Sequence, residues 1–294
     1  EWLQQWYVSA RRAGISNIVV VATDEEAYSW ISERIGDRTI LASDVVDLLM
    51  DERWNNLRGR NISHAFNWRS KGYEKVVIQR ASILKGVLKF LGKNIIYSDT
   101  DLHWFKDPSP YLNQAYSSFD VCVQRELGDE LGDYNCSGFM YIRFSELSLK
   151  FLTIWEIYIK NRLKTTGFFT DQEELNHLFT DISRHNNQAI RELDGLRATT
   201  LDWDEFPSGI NYYKRRKRGK GKNSKVCVSK ICSKLVWENI NLSQSGFESM
   251  DKYVVHHNFA KSNQMKIKRA KKAGLWLKLK DNDWFNLEMN DHNV

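Results

Sequence analysis

The sequence predicts an α/β protein in which a mainly parallel sheet is flanked by helices. Short β-branched runs alternate along the chain with stretches of helical periodicity. Hydrophobic residues make up 42% of the 294 residues, which is enough for a large buried core. The chain has only 3 prolines and shows no internal repeat, so we expect one compact domain over residues 1–294.

The strand predictions rest on short runs of β-branched and aromatic residues. These runs occur at residues 17–21, 94–97, 120–123, 138–142 and 254–255. Their nearly continuous apolar character is typical of strands that are buried on both faces, as the strands of parallel sheets are. We therefore expect them to form the centre of the molecule.

The helix predictions rest on apolar residues that recur every three or four positions, and on capping residues. In chain order, helices are expected at residues 24–35, 75–91, 145–164, 171–179 and 266–277. Asp24 can cap the first helix through its carboxylate, and Gly92 can close the second. Acidic residues at the start of the fourth helix suit the positive end of its dipole.

The positive charge of the chain is concentrated in one segment. Ten Lys and Arg residues and no acidic residue lie between Lys214 and Lys234, which exceeds the net charge of +6 of the whole chain. The rest of the chain is therefore slightly acidic, which argues against a surface built to bind nucleic acid. A basic, flexible loop is predicted over residues 214–225. Such a loop is ordinarily a solvated surface segment.

The cysteines show no zinc-site spacing. Cys122 and Cys136 lie in strand-like segments and are expected to be buried thiols, whereas Cys227 and Cys232 could form a local disulfide. Asn-x-Ser/Thr sequons begin at Asn61, Asn135 and Asn241. Together these features favour the secretory pathway, with the cytoplasm left open.

No apolar run approaches the roughly 20 residues that cross a bilayer. The chain begins at Glu1 without an initiator methionine or a signal peptide. We therefore expect a trimmed sequence from which any native membrane anchor has been removed, and the absence of an anchor leaves the native topology open.

The candidate chemical centre is the pair Asp99 and Asp101, which directly follows the strand at 94–97. In open α/β sheets, ligands bind beyond the carboxyl ends of the strands. Two carboxylates at such a bend can converge on one cation, and hard oxygen ligands favour Mg²⁺ or Mn²⁺. Such a metal would neutralise a diphosphate leaving group. The alternative is a surface loop with two solvated acids, because this short pattern matches many unrelated chains.

Residues 99–108 resemble the DxDxxWxxxP segment of nucleotide-diphospho-sugar transferases. They are especially similar to glycosyltransferase family 77, which includes plant xylosyltransferases acting on fucose and arabinosyltransferases of cell-wall proteins. Further matches follow in chain order at residues 19–26, 137–141, 171–172, 206–209, 256–258 and 273–276. The resemblance implies a GT-A fold with a Rossmann-like sheet. It also implies a retaining, metal-dependent glycosyltransferase that moves a sugar from a UDP-sugar to a glycan or glycoprotein acceptor.

The resemblance implies that Asp99 and Asp101 ligate Mn²⁺ or Mg²⁺, directly or through water. It makes His256 the third ligand, because His256 matches the histidine of the family's HxN segment. A neutral imidazole beside two carboxylates is a reasonable ligand set for Mn²⁺. The neighbouring His257 is the rival, although adjacent strand residues face opposite sides. A single histidine is more often structural than ligating, so the choice rests on the family match.

Two further segments are implied to bind the nucleotide sugar. Ala22 and Asp24 follow the first strand, where a carboxylate can accept hydrogen bonds from uracil or ribose. Asp24 could instead only cap its helix, and both roles can coexist. Ser137 and Gly138 resemble the family's small-residue turn against the donor sugar, where glycine permits close backbone approach. Gly138 could also simply begin a strand.

The resemblance assigns Asp171 and Gln172 to the donor sugar near the anomeric carbon. A carboxylate there can stabilise an oxocarbenium-like transition state, whereas the alternative role of Asp171 is a helix cap with a solvated acid. Lys266 or Lys261 is expected to reach the diphosphate as a point charge. Lys266 matches the family's lysine better, although Ser262 stands where the family usually has glycine.

Two other classes of protein stand beside this interpretation. One is a catalytically inactive GT-A protein that binds carbohydrate or a polyanion. The other is a nucleic-acid-binding protein organised around the basic loop, but no recognised nucleic-acid motif accompanies that loop. In the enzyme, the loop would attract an acidic acceptor. The donor sugar could be xylose, galactose, arabinose or glucose, and the native form is expected to be a type II membrane protein of the Golgi lumen or secretory pathway.

Overall fold

The computed structural model describes residues 1–46, 71–129, 132–165, 168–184, 193–209, 212, 252–258 and 262–279. The chain divides into two compact units, each assembled from segments that are distant in sequence. Unit 1 consists of Glu1–Ile18, Ile95–Arg143 and Gly195–Val294, and unit 2 of Val19–Asn94 and Phe144–Asp194. The single domain expected over residues 1–294 stays a prediction.

Helices and strands are interspersed along the described residues, which confirms the α/β class. The helices are α1 (Trp2–Arg12), α2 (Glu25–Ile35), α3 (Ala42–Val45), α4 (Lys71–Val77), α5 (Arg80–Leu91), α6 (Ser109–Ala115), α7 (Glu146–Leu163), α8 (Asp171–Arg184) and α9 (Asn263–Ala273). The strands are β1 (Val20–Ala22), β2 (Thr39–Leu41), β3 (Ile95–Ser98), β4 (Leu102–Trp104), β5 (Val121–Asp129), β6 (Gly132–Ile142), β7 (Ala198–Thr200) and β8 (Val254–His256).

The strand pairing differs from the mainly parallel sheet that the sequence predicted. Unit 1 contains a four-stranded sheet in the order β3-β6-β5-β7 and a two-stranded sheet of β4 and β8, and unit 2 contains the pair β1-β2. Among the described pairs, β1-β2 and β5-β7 are parallel, and the others are antiparallel. β5 ends at Asp129 and β6 begins at Gly132, so the connection is too short for the crossover that a parallel pair requires.

Capping groups explain several helix boundaries. The Asp24 Oδ1 atom accepts a hydrogen bond from the Ala27 N–H at 2.8 Å, which begins α2. The Ser145 Oγ atom accepts one from the Ser148 N–H at 3.1 Å, which begins α7. Gly92 closes α5 with a left-handed φ of 59°. These three boundaries agree with the sequence predictions.

The helix expected over residues 75–91 is interrupted. It is divided into α4 and α5 because the Gln79 N–H bonds back to the Val76 carbonyl at 3.2 Å instead of continuing the helical pattern. The fourth expected helix is longer than predicted, since α8 continues to Arg184.

The terminal helix lies earlier in the chain than residues 266–277. It begins after Ser262, whose Oγ accepts a hydrogen bond from the Met265 N–H at 3.3 Å. It ends at Gly274, which has a positive φ of 75°. Ser262, which departs from the family pattern, is therefore the N-cap of α9.

The cysteine and sequon predictions are only partly covered by the structure. Cys122 and Cys136 are buried free thiols, as expected, and Asn135 is buried in β6. Outside the described residues lie Cys227, Cys232, the basic loop 214–225 and the sequons at Asn61 and Asn241. No helix in the described part of the chain is long and apolar enough to cross a bilayer.

Candidate metal centre

The register of two strand pairs brings the candidate ligands together in unit 1. Asp99 and Asp101 lie between β3 and β4, and the Asp99 N–H donates to the Gly138 carbonyl at 2.8 Å. β4 pairs with β8 so that Leu102 lies opposite His256. Pairing with β4, which begins directly after Asp101, therefore brings the His256 side chain of β8 to both carboxylates, although His256 is 155 residues from Asp101 in sequence.

The three side chains present a compact set of ligand atoms. The His256 Nε2 atom lies 3.0 Å from Asp101 Oδ1 and 3.9 Å from Asp99 Oδ2. One ligand atom of each residue lies within 4.8 Å of the other two. Ligands about 2.1 Å from a Mg²⁺ ion and at right angles to one another are about 3 Å apart. The cluster therefore fits a divalent cation after small shifts of the side chains.

Opposite charges compensate one another in this partly buried cluster. Burial by itself lowers the pKa of His256, but the Asp101 carboxylate raises it well above its ordinary value. Burial by itself raises the pKa of Asp101, but His256 and Lys266 lower it far below its ordinary value. The Lys266 Nζ atom lies 2.5 Å from Asp101 Oδ2. Asp101 is therefore ionised, and positive groups neutralise it on both oxygens.

Gly138 leaves the space that these side chains fill. A Cβ atom at Gly138 would lie 2.5 Å from His256 Cε1 and 2.6 Å from Asp99 Oδ2. Real Cβ atoms essentially never make contacts this short, so a larger residue would displace the side chains. Ser137 is buried beside it. The structure therefore brings Gly138 against the metal centre, and its contact with a donor sugar stays a prediction.

His257 directly follows β8, and its ring has an aromatic neighbour. Its ring packs against Trp2, with 5.4 Å between the ring centroids. Burial lowers the pKa of His257 to about 3, so its imidazole is neutral. The His256 imidazole faces Asp99 and Asp101, and the choice of His256 over His257 as the ligand stays a prediction.

Two contacts of the ligand residues had not been predicted. The Tyr97 hydroxyl donates to Asp99 Oδ1 at 2.6 Å, and the Gln124 Oε1 atom lies 3.0 Å from His256 Nδ1. Tyr97 and Asp99 are two residues apart across a strand end, and this spacing in the sequence could have indicated that their side chains lie on the same face. Gln124 is fully buried at the end of an apolar run, and only the three-dimensional structure identifies its partner.

The predicted catalytic pair belongs to unit 2. Asp171 begins α8 and is only 1% exposed, so it is not the solvated acid of the alternative interpretation. Its carboxylate forms a buried ion pair with Arg80 at the start of α5, and its carbonyl accepts a hydrogen bond from Trp155 Nε1 at 3.0 Å. Gln172 follows it in the first turn of the helix. Arg80 had no recognisable signal in the sequence.

The remaining predicted residues have different surroundings. Ala22 is buried at the end of β1, and the exposed Asp24 caps α2, so the capping role is confirmed and a nucleoside contact stays a prediction. Lys266 projects from α9 to Asp101. Lys261 lies outside the described residues.

Comparison with known proteins identifies the family. Residues 13–270 match the family model of the nucleotide-diphospho-sugar transferases. The chain belongs to this family. The resemblance inferred from residues 99–108 is therefore confirmed, and with it the α/β GT-A fold that the resemblance implied for the chain.

Curated glycosyltransferases are distant relatives of the chain. It is 21% identical to a UDP-galactose:fucoside alpha-3-galactosyltransferase of Dictyostelium discoideum, over 89% of this chain and 38% of that protein. It is also 21% identical to UDP-D-xylose:L-fucose alpha-1,3-D-xylosyltransferase 3 of Arabidopsis thaliana, over 94% of this chain and 63% of that protein. The chain thus spans less than two thirds of the length of these relatives.

Among solved structures, the galactosyltransferase LgtC in complex with donor and acceptor sugar analogues is similar over 97% of this chain and 95% of its own, with a TM-score of 0.48 and 11% sequence identity.

Proposed function

We propose that the protein is a retaining, metal-dependent glycosyltransferase that transfers a sugar from a UDP-sugar to a glycan or glycoprotein acceptor. The observation that carries this proposal is the convergence of Asp99, Asp101 and His256 in a member of the nucleotide-diphospho-sugar transferase family. These residues converge in a partly buried cluster of opposite charges, where a cation interacts more strongly than it would in water.

The chemistry of the three side chains fits Mn²⁺ or Mg²⁺. Asp99 Oδ2 and Asp101 Oδ1 are hard oxygen donors, and His256 Nε2 is a nitrogen donor that Mn²⁺ accepts more readily than Mg²⁺. Held there, the cation would neutralise the diphosphate and make UDP a better leaving group. Lys266 is the residue of this chain that we assign to the diphosphate, because its partly buried ammonium already lies at the same cluster.

We assign Asp171 and Gln172 to the donor sugar. The ion pair with Arg80 restricts the position of the Asp171 carboxylate, which suits a group that stabilises developing positive charge. Ser137 and Gly138 are assigned to the sugar as well, and Ala22 and Asp24 to the nucleoside. Retention of the anomeric configuration follows from the family resemblance.

The relatives suggest which substrates to test first. Their names specify UDP-galactose and UDP-D-xylose as donors and fucosides or L-fucose as acceptors. We therefore propose UDP-xylose or UDP-galactose as the donor, with UDP-arabinose and UDP-glucose as alternatives, and a fucose-containing glycan as the acceptor. Acceptors of this kind support a site of action in the Golgi lumen, which imaging of the tagged full-length protein would test.

Release of UDP from each of the four UDP-sugars, with Mn²⁺ or EDTA, tests the proposal. We expect one donor to be hydrolysed with Mn²⁺, and Asp101→Asn to lower the rate by a hundredfold or so. Asp37→Asn, which changes an exposed acid far along the chain from the cluster, is the matched control and should retain the rate. Undiminished release in EDTA or in Asp101→Asn would overturn metal dependence. Mn²⁺ binding without release from any donor would indicate an inactive binding protein.

A further inference from the structure

Gln124 joins the metal centre to a backbone carbonyl of the same unit. It lies in β5 and has no exposed surface. Its side-chain Nε2 donates a hydrogen bond to the Phe206 carbonyl at 3.1 Å. Because a carbonyl oxygen can only accept, this bond determines the orientation of the Gln124 amide. The Gln124 Oε1 atom must then be the one that lies 3.0 Å from His256 Nδ1.

This orientation determines which nitrogen of His256 can bind a cation. An amide oxygen only accepts hydrogen bonds, so Nδ1 must carry a hydrogen and donate it to Gln124. Without a cation, Nε2 also carries a hydrogen and donates it to Asp101 Oδ1 at 3.0 Å. A cation would displace that hydrogen to solvent and take the lone pair of Nε2, because Nδ1 stays bonded to Gln124. The ring plane is also restrained, because it is held at Nδ1 on one side and faces the carboxylates on the other.

The other neighbour of His256 Nδ1 is a poorer partner. The Cys136 Sγ atom lies 3.5 Å from Nδ1, and thiol sulfur is only a weak acceptor. The same sulfur lies 3.4 Å from the Gly138 N–H and 3.8 Å from Asn258 Nδ2, both of which can donate to it. Gln124 is therefore the stronger acceptor for the Nδ1 hydrogen.

We propose that Gln124 is a positioning residue that fixes the tautomer and ring plane of His256, so that Nε2 rather than Nδ1 is presented to the divalent cation. This inference rests on the proposed function, since it assigns a role within the same metal centre. Hydrogen bonds from a ligating histidine to a neighbouring acceptor commonly raise metal affinity by 10- to 100-fold. A purely structural role would instead affect only the stability of the fold.

Titration of the whole chain with Mn²⁺, followed by the EPR signal of the free ion, separates these roles. Gln124→Met removes the acceptor at nearly constant volume and should lower Mn²⁺ affinity by about 10- to 100-fold. Gln124→Glu keeps an acceptor for Nδ1 and should restore the affinity to within about threefold of the wild type. Pulsed EPR of bound Mn²⁺ should show an altered remote ring nitrogen in Gln124→Met and not in Gln124→Glu.

Gln5→Met is the matched control. Gln5 is also buried, and it makes two hydrogen bonds to the backbone of Leu277, at 2.9 and 2.7 Å. Its loss should cost comparable stability and leave Mn²⁺ affinity unchanged. If Gln124→Met does not fold, Gln124→Asn serves instead, because its amide is one methylene shorter and withdraws the acceptor by about 1.5 Å.

The outcomes distinguish this inference from the proposed function. If the wild type binds Mn²⁺ and Gln124→Met binds it within about twofold, the positioning role is wrong while the metal centre stands. An equal loss of affinity in Gln5→Met would also contradict it, because the effect would then be one of stability. If the wild type binds no Mn²⁺, the proposed metal centre and the positioning role both fail.

Discussion

Gly138→Ala should damage the metal centre more than it damages the fold. The added methyl carbon would lie 2.5 Å from His256 Cε1 and 2.6 Å from Asp99 Oδ2. Unstrained contacts between carbon atoms are about 3.5 to 4.0 Å, so two candidate ligands must each move by about 1 Å. The methyl group would enter between Asp99 and His256, which a bound cation must draw together.

The expected loss follows from the cost of overpacking. Inserting a methyl group into a packed site costs about 1–3 kcal/mol, and 1.4 kcal/mol corresponds to a tenfold change in affinity. If this energy is lost from binding, because the ligands must move together around the cation, Mn²⁺ affinity should fall by about 5- to 150-fold. An EPR titration with Mn²⁺ measures this loss, and thermal unfolding measures the stability of the same variant.

Gly86→Ala is the control for Gly138→Ala. Its Cβ would lie 2.4 Å from the Val45 carbonyl oxygen, so it also introduces a clash, but on α5 in unit 2. We expect Gly86→Ala to unfold at a lower temperature and to bind Mn²⁺ like the wild type. Affinity within about twofold of the wild type in a folded Gly138→Ala protein would refute the reasoning, because the clash would then be relieved without moving a ligand.

His256→Ala should weaken Mn²⁺-supported UDP binding about tenfold or more, whereas His257→Ala should mainly lower the unfolding temperature. Equal losses of UDP affinity in the two variants, measured by calorimetry, would contradict the assignment of His256 as the ligand. Asp171→Asn should lower turnover about a hundredfold with little change in UDP affinity. Glu156→Gln, which breaks another ion pair of α5, controls for lost stability, and a collapse of UDP affinity in Asp171→Asn would make that residue structural. Burial raises the pKa of Glu205 from 4.5 to about 6. The folded protein therefore binds this proton more tightly than the unfolded chain, and its stability should fall by about 2 kcal/mol as the pH rises through that window. Glu205→Gln should remove that fall in unfolding measurements against pH, and an unchanged profile would contradict it.

Features determined by neighbouring residues could be predicted from the sequence. Asp24, Ser145 and Gly92 act as caps through bonds or dihedral angles within their own turn, so their residue types are sufficient evidence. The order of strands in the sheet depends on contacts between distant segments. The short connection from Asp129 to Gly132 was the one local signal that β5 and β6 are antiparallel, and the strand prediction stopped before it.

In the candidate site, too, local features could be predicted from the sequence and contacts between distant segments could not. Asp99 and Asp101 could be identified because they follow an apolar strand, and His256 because it matches a family segment. The partners of these residues could not be identified in this way. Gln124 acts through a bond to a histidine 132 positions away, and no pattern of residue types in one segment encodes such a contact.

Strand register is what turns these scattered residues into one site. Leu102 lies opposite His256 in the β4-β8 pair, and Ser98 lies opposite Phe139 in the β3-β6 pair. A shift of one residue in β8 would set Val255 or His257 at that position and would turn the imidazole of His256 to the opposite face. Val254 and Val255 are both fully buried, so the shift that brings Val255 to this position would place the His256 imidazole where a valine side chain packs, away from its carboxylate partners. The same burial that stabilises the strand therefore also determines which histidine meets the two carboxylates.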